Sequence, residues 1–486
     1  MGQAELTAPS SASVDTVPNT HPPAFWFFFW GEFAERASYY GMRAILFVYL
    51  TNVFRMTDTG ATRIQAIFKM ACYILPLAGG YIADRWLGRY WTIVGFSLPY
   101  VLGHFILGIP HEVALGIALA LLAGGSGVIK PNISTLLGET YDQKRPGKKL
   151  LRSAAFSLFY LSINIGSFIS TLAMPEIKNK WGFAVAFQFP AWLMVLSLAV
   201  FALGKRHYAL SRPVHREKSS EERKVEWRAL GRLLGLFALI VFFWAAYEQN
   251  DNLWLAFLRD YGNLDIGLSE PITEDQLQFI NPLFVILLIP AFNWLFKKMD
   301  PQIRIFTPMR KIFAGFLLTA ASAGLMSAAG FLAKGPTEQH MVNKIDQQTK
   351  EPVIDPETDK PVQVEVTVST VKVSVLWFVM AYIVLTCAEV LLYGTALELS
   401  YAAAPESMKG MVTACFLVTI MLGNFVNAFW SGMYGGSLND PTRGPLQPGE
   451  FFGITALAVV AVSFVFHFVG KRFERGMAQD AAAATV

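Results

Sequence analysis

Four charged side chains interrupt an apolar and aromatic segment near the start of the chain. The run FWFFFWGEFAERASYYGMRAILFVYL contains Glu32, Glu35, Arg36 and Arg43. If this segment crosses a bilayer as a helix, each ion facing lipid would cost about 3 kcal/mol at the membrane centre. At about 100° per residue, these positions share one helical face with Tyr39. We interpret this face as the wall of a polar cavity; the alternative is an ion-pair network that locks helices together.

Three further charges stand alone in apolar segments. Lys130 lies in GVIKPNIS, Glu248 lies in FFWAAYEQN, and Glu389 lies in CAEVLLYGTALELS. A buried ammonium needs an anionic partner, and Glu32 or Glu35 is predicted to supply it to Lys130. Burial penalises the charged form of a carboxylate, so Glu248 is a candidate proton carrier.

The composition indicates an integral membrane protein. Of 486 residues, 53% are hydrophobic and only 16% are charged, and the mean hydropathy is +0.40. A soluble protein of this length carries more polar residues. The net charge of +4 comes from basic residues in short loops, which the positive-inside rule explains without nucleic-acid binding. The cysteines and histidines are scattered and no nucleophile constellation is found, so we expect neither an enzyme nor a metal or other cofactor.

Apolar runs bounded by charge, proline or glycine predict twelve transmembrane helices, each near the roughly 20 residues that a bilayer requires. The first six lie near 25–54, 62–83, 90–109, 112–140, 151–174 and 182–203. The second six lie near 229–259, 275–297, 307–333, 371–402, 409–436 and 449–472. The predicted fold is therefore all-α and membrane-embedded, with two six-helix bundles, 25–203 and 229–472. This layout is typical of transporters with a substrate site near the membrane midplane.

The polar segments set the predicted orientation. The stretch 204–228, which includes KRHYALSRPVHREKSSEERK, is too charged to span a bilayer and is predicted to be a cytoplasmic linker. Basic clusters recur on the same side, so both terminal tails, 1–24 and 473–486, are predicted to be cytoplasmic. The longest outside loop, 333–372, includes most of VQVEVTVSTVKVSV, whose alternation predicts a short hairpin.

The turn after the second segment carries a motif. GGYIADRWLGRY, from Gly79 to Tyr90, resembles the cytoplasmic G-x-x-x-D-R-x-x-G-R loop of the major facilitator superfamily. The resemblance implies that Asp84, Arg85 and Arg89 latch neighbouring helix ends in one conformation. An ordinary positive-inside turn is the alternative.

The charged stripe carries a more specific resemblance. With Tyr40 and Gly41, it resembles the E-x-x-E-R-F-x-Y-Y-G signature of the proton-dependent oligopeptide transporter family, a branch of that superfamily. Ala37 departs from the signature, because the family usually has Phe there. FSLFYLSINIGS is similar to the family motif F-Y-x-x-I-N-x-G-S, and FFWAAYEQN is similar to F-W-x-x-x-E-Q. The resemblance covers essentially all of residues 25–470.

The resemblance also implies which side chains meet a peptide and a proton. The implied substrate contacts are Arg36, Tyr39, Tyr40, Tyr73, Lys130, Tyr160, Asn164, Asn281, Glu389 and Trp430, and the implied proton-coupling residues are Glu32, Glu35, Arg43 and Glu248. Alternatives stay open for the tyrosines as interfacial belt residues, for Asn164 as a bond between helices, and for Trp430 as packing. Tyr393 and Gly394 stand where many members have Ser-Pro, which leaves the bend of their helix open.

The predicted function is proton-coupled symport of di- and tripeptides by a monomer in a bacterial cytoplasmic membrane. Arg36 and Lys130 are expected to bind the peptide carboxylate and Glu389 its ammonium, so that the substrate draws the two halves together. Protonation is expected to break an internal pair, such as Glu248 with Arg43. The alternatives are a transporter of another small anion or of a peptide-like drug, and a peptide-sensing receptor of the same fold.

Overall fold

The computed structural model of the protein is almost entirely helical. It describes residues 18–209, 220–267, 271–299, 307–344, 353–355, 360–403, 409–438 and 444–483. Within these ranges the helices are α1 (Ala24–Asn52), α2 (Asp58–Ile82), α3 (Arg89–Leu107), α4 (Glu112–Lys144), α5 (Lys149–Leu203), α6 (Ser220–Tyr247), α7 (Leu253–Tyr261), α8 (Ile280–Met299), α9 (Pro308–Leu332), α10 (Leu376–Ala403), α11 (Lys409–Trp430) and α12 (Pro448–Ala483). We refer to α1–α5 as the first half and to α6–α12 as the second half.

The longest helix, α5, contains two of the predicted crossings. Its backbone leaves the helical conformation at Gly182, where φ is 78° and ψ is 173°. Glycine adopts this conformation without steric cost, so the sequence itself marks the turning point. At 1.5 Å per residue, the 55 residues of α5 reach about 80 Å, enough to cross a bilayer twice. The break agrees with the predicted boundary between 151–174 and 182–203.

The described helices account for the twelve predicted crossings. Ten helical segments are long and apolar enough to cross a membrane, and α5 is one of these segments. The helix α1 is not among them, because four charged side chains interrupt it. Its 29 residues nevertheless extend about 44 Å, which exceeds the hydrocarbon thickness of about 30 Å. Counting both arms of α5 and adding α1 gives the predicted number.

The seventh predicted crossing is divided into two helices. The helix α6 ends at Tyr247, a 3₁₀ turn spans Glu248–Asp251, and α7 begins after Asn252. The Asn252 side chain caps α7 by accepting a hydrogen bond from the Leu253 N–H at 2.7 Å. Side chains at positions i and i+3 of a 3₁₀ turn eclipse each other. The turn therefore directs the Glu248 and Asp251 carboxylates to the same side.

Two helices extend beyond the predicted membrane segments. The helix α6 begins at Ser220, inside the predicted linker 204–228, and α12 continues to Ala483, inside the predicted tail. Both extensions are rich in Glu, Lys, Arg or Ala, which are strong helix formers in water. Residues 1–17 of the predicted N-terminal tail and residues 210–219 of the predicted linker lie outside the described residues.

Four short strands of the described residues lie at one end of the molecule, which we call the strand end. They are β1 (Gly262–Asn263), β2 (Thr337–Asn343), β3 (Gln363–Ser369) and β4 (Val373–Ser374). The strand β3 pairs antiparallel with β2, from Thr337 opposite Ser369 to Asn343 opposite Gln363, while β4 pairs parallel with β1. The prediction that VQVEVTVSTVKVSV folds into a hairpin on itself is therefore wrong, because its two strands pair with other strands. Alternation identifies a strand but not its neighbour, and this stretch contains no Asn-Gly or Asp-Gly turn to fold it on itself.

Ion pairs with buried carboxylates join the two halves at the strand end. Asp58 at the start of α2 binds Arg259 of α7 through two parallel bonds of 2.9 and 2.8 Å, and the Ser437 hydroxyl donates to the same carboxylate at 2.5 Å. Lys178 of α5 donates to Asp275 at 2.6 Å. These two pairs, the strand-end clasp, hold the halves together on this side.

At the opposite end, Arg89 joins helices of the first half to one another. The Arg89 guanidinium contacts Asp84 at 2.9 Å and Glu139 at 2.7 Å, and it donates to the Asn132 side-chain oxygen at 3.2 Å. Arg85 lies in the same turn, a single π-helical segment from Ala83 to Leu87. The motif therefore ties α2, α3 and α4 to one another.

We expect Arg259→Met to open the strand end. Removing one partner of a buried ion pair costs about 3–5 kcal/mol, because the remaining Asp58 charge is left unpaired. Spin labels at Val113 of α4 and Leu376 of α10, both exposed on opposite halves, should show a new population at longer distance by pulsed electron resonance.

The matched control is Lys180→Met. Lys180 pairs with Glu176 at 3.1 Å, but both side chains are about half exposed or more, and exposed pairs contribute about 0–1 kcal/mol. The control should leave the label distances unchanged. Unchanged distances in Arg259→Met as well would contradict a clasp at this end.

Candidate functional site

The charged stripe of α1 forms a closed ion network. Arg36 is 1% exposed; its Nε lies 3.1 Å from a Glu32 oxygen and also contacts a Glu35 oxygen. Both carboxylates are buried as well. One turn of α1 therefore places two anions around one cation, as the shared helical face predicted. Arg36 also lies 5.6 Å from the centre of the Tyr39 ring.

Lys130 of α4 has aromatic neighbours instead of a carboxylate. Its Nζ lies 4.8 Å from the Tyr73 ring centre and 5.1 Å from the Tyr39 ring centre. No ion pair within 4.0 Å joins it to any residue that the structure describes. The predicted pairing of Lys130 with Glu32 or Glu35 is therefore wrong in this conformation. Those carboxylates already pair with an arginine on their own helix.

Glu389 of α10 is held by uncharged donors. The Tyr247 hydroxyl donates to Glu389 Oε2 at 2.9 Å, and the Asn281 amide donates to the same oxygen at 2.8 Å. Asn281 also donates to the Thr386 hydroxyl at 3.1 Å, which orients it. Across the described ranges, no lysine or arginine lies within 4.0 Å of Glu389. Asn281 and Glu389 thus meet as predicted, and Tyr247 is a member that the sequence analysis missed, although it directly precedes Glu248.

Tyrosines of the first half face this carboxylate. Tyr40 of α1 and Tyr160 of α5 both lie within electrostatic range of Glu389, and Tyr160 is 37% exposed. Asn164 uses its amide on its own helix, donating to the Tyr160 carbonyl at 2.9 Å. The space between the halves is therefore lined by phenols, with an ammonium on one side and a carboxylate on the other.

A second ion cluster lies between the halves. Lys69 of α2 donates to Glu248 Oε2 at 2.7 Å and to both Asp251 oxygens at 2.8 and 2.7 Å. Arg43 of α1 contacts Asp251 Oδ2 through Nε at 2.8 Å and through Nη2 at 2.7 Å. We call Arg43, Lys69, Glu248 and Asp251 the four-ion cluster. It links α1 and α2 to the 3₁₀ turn between α6 and α7.

The predicted pair of Arg43 and Glu248 is present but secondary. The two side chains approach to 3.8 Å, whereas Arg43 is about 1 Å closer to Asp251. Lys69 and Asp251 were not predicted from the sequence. A lysine inside the apolar segment 62–83 was the available signal, since a charge there must find a partner.

Trp430 lies apart from these groups. Its indole N–H donates to the Thr455 hydroxyl at 3.0 Å, and its ring stacks on Phe451 at 5.6 Å between centres. These contacts fit the packing alternative, and none of them reaches Lys130 or Glu389. Gly394 does not interrupt its helix, because α10 is continuous from Leu376 to Ala403.

The sequence matches a known family over most of its length. A family model described as the POT family matches residues 90–222 and 209–440. The chain is 32% identical over 363 residues to human "Solute carrier family 15 member 2", covering 64% of this chain and 49% of the relative. It is 33% identical over 366 residues to "Peptide transporter family 1" of Drosophila melanogaster, covering 65% and 48%. The chain therefore spans about half the length of the curated relatives it matches.

The fold matches a solved structure over nearly the whole chain. The structure described as "In meso crystal structure of the POT family transporter PepTSo" superimposes with a TM-score of 0.76 at 24% identity. The match covers 94% of this chain and 99% of the other. At this identity the likeness concerns the fold alone, which is the twelve-helix fold of the major facilitator superfamily.

We expect Arg36→Ala to destabilise the protein more than Lys130→Ala does. Arg36 pairs with two buried carboxylates, and removing the cation of a buried pair costs about 3–5 kcal/mol. Lys130 has only cation–π contacts among the described residues, which contribute about 0.5–2 kcal/mol. Thermal unfolding of the purified protein, followed by tryptophan fluorescence, should show the larger fall in midpoint for Arg36→Ala.

Thermal unfolding also tests this explanation in two further ways. The loss in Arg36→Ala should be smaller at about pH 5 than at about pH 8, because protonation neutralises the stranded carboxylates. Adding Glu35→Gln to Arg36→Ala should recover part of the lost unfolding midpoint for the same reason. Equal losses for Arg36→Ala and Lys130→Ala would contradict the closed network.

Proposed function

The chain belongs to the POT family, and we propose that it is a proton-coupled symporter that imports di- and tripeptides by alternating access. One observation carries the proposal. Lys130 in the first half and Glu389 in the second half are opposite charges without an ionic partner among the described residues. Isolated charges in a membrane-embedded site are costly unless a ligand completes them. A zwitterion supplies both missing charges at once.

Each end of a peptide has a matching group. Its carboxylate binds the Lys130 ammonium beside the Tyr39 and Tyr73 rings, and its ammonium binds Glu389, where Asn281 fixes the carboxylate. Charge-assisted bonds of this kind are the stronger hydrogen bonds of proteins. Because both contacts are made to the termini that all short peptides share, the peptide side chains need not be specified. Binding across the two halves then favours their approach.

Proton coupling begins in the first half. Arg36 has no net charge to offer a ligand while Glu32 and Glu35 are both ionised around it. When one of these carboxylates takes up a proton, the summed charge of Glu32, Glu35 and Arg36 rises from −1 to 0, so less negative charge lies near Lys130 and the affinity for the peptide carboxylate rises. Proton and peptide binding thus support each other, which is the thermodynamic requirement for symport.

The strand-end clasp is the closed gate of the conformation described above. Under the positive-inside rule the strand end faces outside, both termini face the cytoplasm, and the protein lies in the plasma membrane with lipid around it. The motif at Asp84, Arg85 and Arg89 then lies at the cytoplasmic gate. It holds α2, α3 and α4 as one body while the second half moves.

We expect purified protein in liposomes to accumulate labelled dialanine against its gradient. An inward pH gradient and an inside-negative potential should each drive uptake, because a neutral zwitterion entering with a proton carries net positive charge inward. Ionophores that dissipate each gradient are the control. Accumulation that ignores both gradients rules out symport, and binding without flux favours the receptor alternative.

Lys130→Ala should lower dialanine uptake by roughly tenfold to a hundredfold. Loss of one charge-assisted contact costs about 1.5–3 kcal/mol, which corresponds to that range. The matched control is Lys205→Ala, because Lys205 also stacks on aromatic rings, at 4.3 Å from Trp91 and 5.3 Å from Tyr90. The control should transport normally. Wild-type uptake in Lys130→Ala would contradict the site.

Glu389→Gln should impair free-amine peptides more than N-acetylated ones. The substitution keeps the shape and removes the charge that binds an ammonium, which N-acetyl dialanine lacks. The ratio of the two uptake rates is the measurement. An equal loss for both substrates means that Glu389 has a structural role, and it favours the alternative in which the substrate is a simple anion.

A further inference from the structure

The four-ion cluster contains two groups that the proposed peptide site does not use. Lys69 is 1% exposed and Asp251 is 2% exposed. With Arg43 and Glu248 they form two positive and two negative charges, so the cluster is neutral when both carboxylates are ionised. Because the cations come from one half and the carboxylates from the other, the charges balance only while the strand end is closed.

The two carboxylates of the cluster are not equivalent. Asp251 uses both oxygens and contacts both cations, in four donor contacts between 2.7 and 2.8 Å. Glu248 accepts one bond, from Lys69 to Oε2 at 2.7 Å, and lies 3.8 Å from Arg43. Hydrogen bonds to an ionised carboxylate favour its charged form. A proton entering the cluster is therefore taken by Glu248, while Asp251 stays ionised.

We propose that Lys69 is the cation through which a proton on Glu248 loosens the closed strand end, while Asp251 keeps Arg43 neutralised throughout. The inference rests on the proposed proton-coupled function. When Glu248 is protonated, Lys69 loses its glutamate partner and shares the single remaining anion with Arg43. The cluster then carries one excess positive charge in a buried site, and separation of the halves relieves it.

The neighbouring titratable groups do not supply the missing charge. Tyr73 of α2, Tyr247 of α6 and Glu389 of α10 lie within electrostatic range of Glu248, and Tyr382 of α10 lies within range of Asp251. Tyrosines are neutral at physiological pH. Glu389 is engaged by Tyr247 and Asn281 in the second half. Lys69 is thus the cation that loses a partner when Glu248 takes up a proton.

The first test replaces Lys69 by a neutral side chain of similar length. In Lys69→Met, Arg43 faces two carboxylates, and the cluster is neutral only while Glu248 keeps its proton. Uphill accumulation of labelled dialanine in liposomes should fall at least tenfold. Counterflow, in which labelled and unlabelled dialanine exchange without net proton movement, should stay within about threefold of wild type. Lys69→Arg keeps the charge and should retain uphill transport.

The decisive variant restores the charge balance without restoring the lysine. Lys69→Met combined with Asp251→Asn leaves one cation, Arg43, and one titratable anion, Glu248. Uphill accumulation should recover to at least a third of wild type, whereas Asp251→Asn alone should lose it. A purely structural role for either residue predicts that the double variant is worse than both single variants.

The control is another buried lysine that joins the halves. Lys178 is 4% exposed and pairs with Asp275 at 2.6 Å, outside the cluster. Lys178→Met should change accumulation and counterflow by the same factor, since no proton site depends on it. If Lys178→Met also becomes an exchanger, the effect belongs to the interface and the proposal is overturned.

A distance measurement separates this inference from the proposed function. Spin labels at Val113 and Leu376 should report a longer distance at acidic pH in the wild type, no pH response in Lys69→Met, and a restored response in the double variant. A wild type that shows this response without driving dialanine uphill contradicts the proposed function alone. Uphill transport or a pH response in Lys69→Met overturns the inference. If Lys69→Met does not fold, the double variant is compared with Asp251→Asn instead. Uphill accumulation in the double variant that is no higher than in Asp251→Asn then overturns the inference.

Discussion

An ion inside a membrane must be neutralised by a partner, a proton or a ligand, and the arrangement of the helices follows from this requirement. Arg36 is neutralised within α1 by Glu32, one turn away, and by the adjacent Glu35. Lys69 is neutralised across the halves by Glu248 and Asp251. The first kind of contact is independent of how the halves are placed, and the second exists only when they meet. Conformation and charge are therefore linked directly through the second kind, and through the first kind only by way of the bound peptide.

The same requirement distinguishes the peptide site from the rest of the interior. Where buried cations and anions meet directly, as in the four-ion cluster, nothing remains for a ligand to complete. Lys130 instead lies against aromatic rings, and Glu389 accepts hydrogen bonds from a phenol and an amide. Such groups orient a charge and partly solvate it but do not cancel it. The substrate of this site is then defined by the charges it must supply, one negative and one positive.

The sequence predicted the positions of the charges better than their pairs. A charge in an apolar segment is visible in the sequence, so Lys130, Glu248 and Glu389 were found, while Lys69 was overlooked by the same criterion. Pairing depends on which helices meet, and Lys69 and Glu248 are 179 residues apart. The pairing predicted for Lys130 failed because both carboxylates already contact Arg36 on their own helix. The break at Gly182 was predictable because it depends on one local backbone conformation.

The 3₁₀ turn at Glu248–Asp251 explains why one short segment affects both ends of the mechanism. In a continuous α-helix positions 248 and 251 would be about 60° apart around the axis, whereas the tighter turn brings them into line. Both carboxylates then meet cations of α1 and α2 on the same side. Tyr247, immediately before the turn, donates to Glu389 in the proposed peptide site. A shift of this turn in response to charge is therefore transmitted over a single residue to the carboxylate that receives the peptide ammonium.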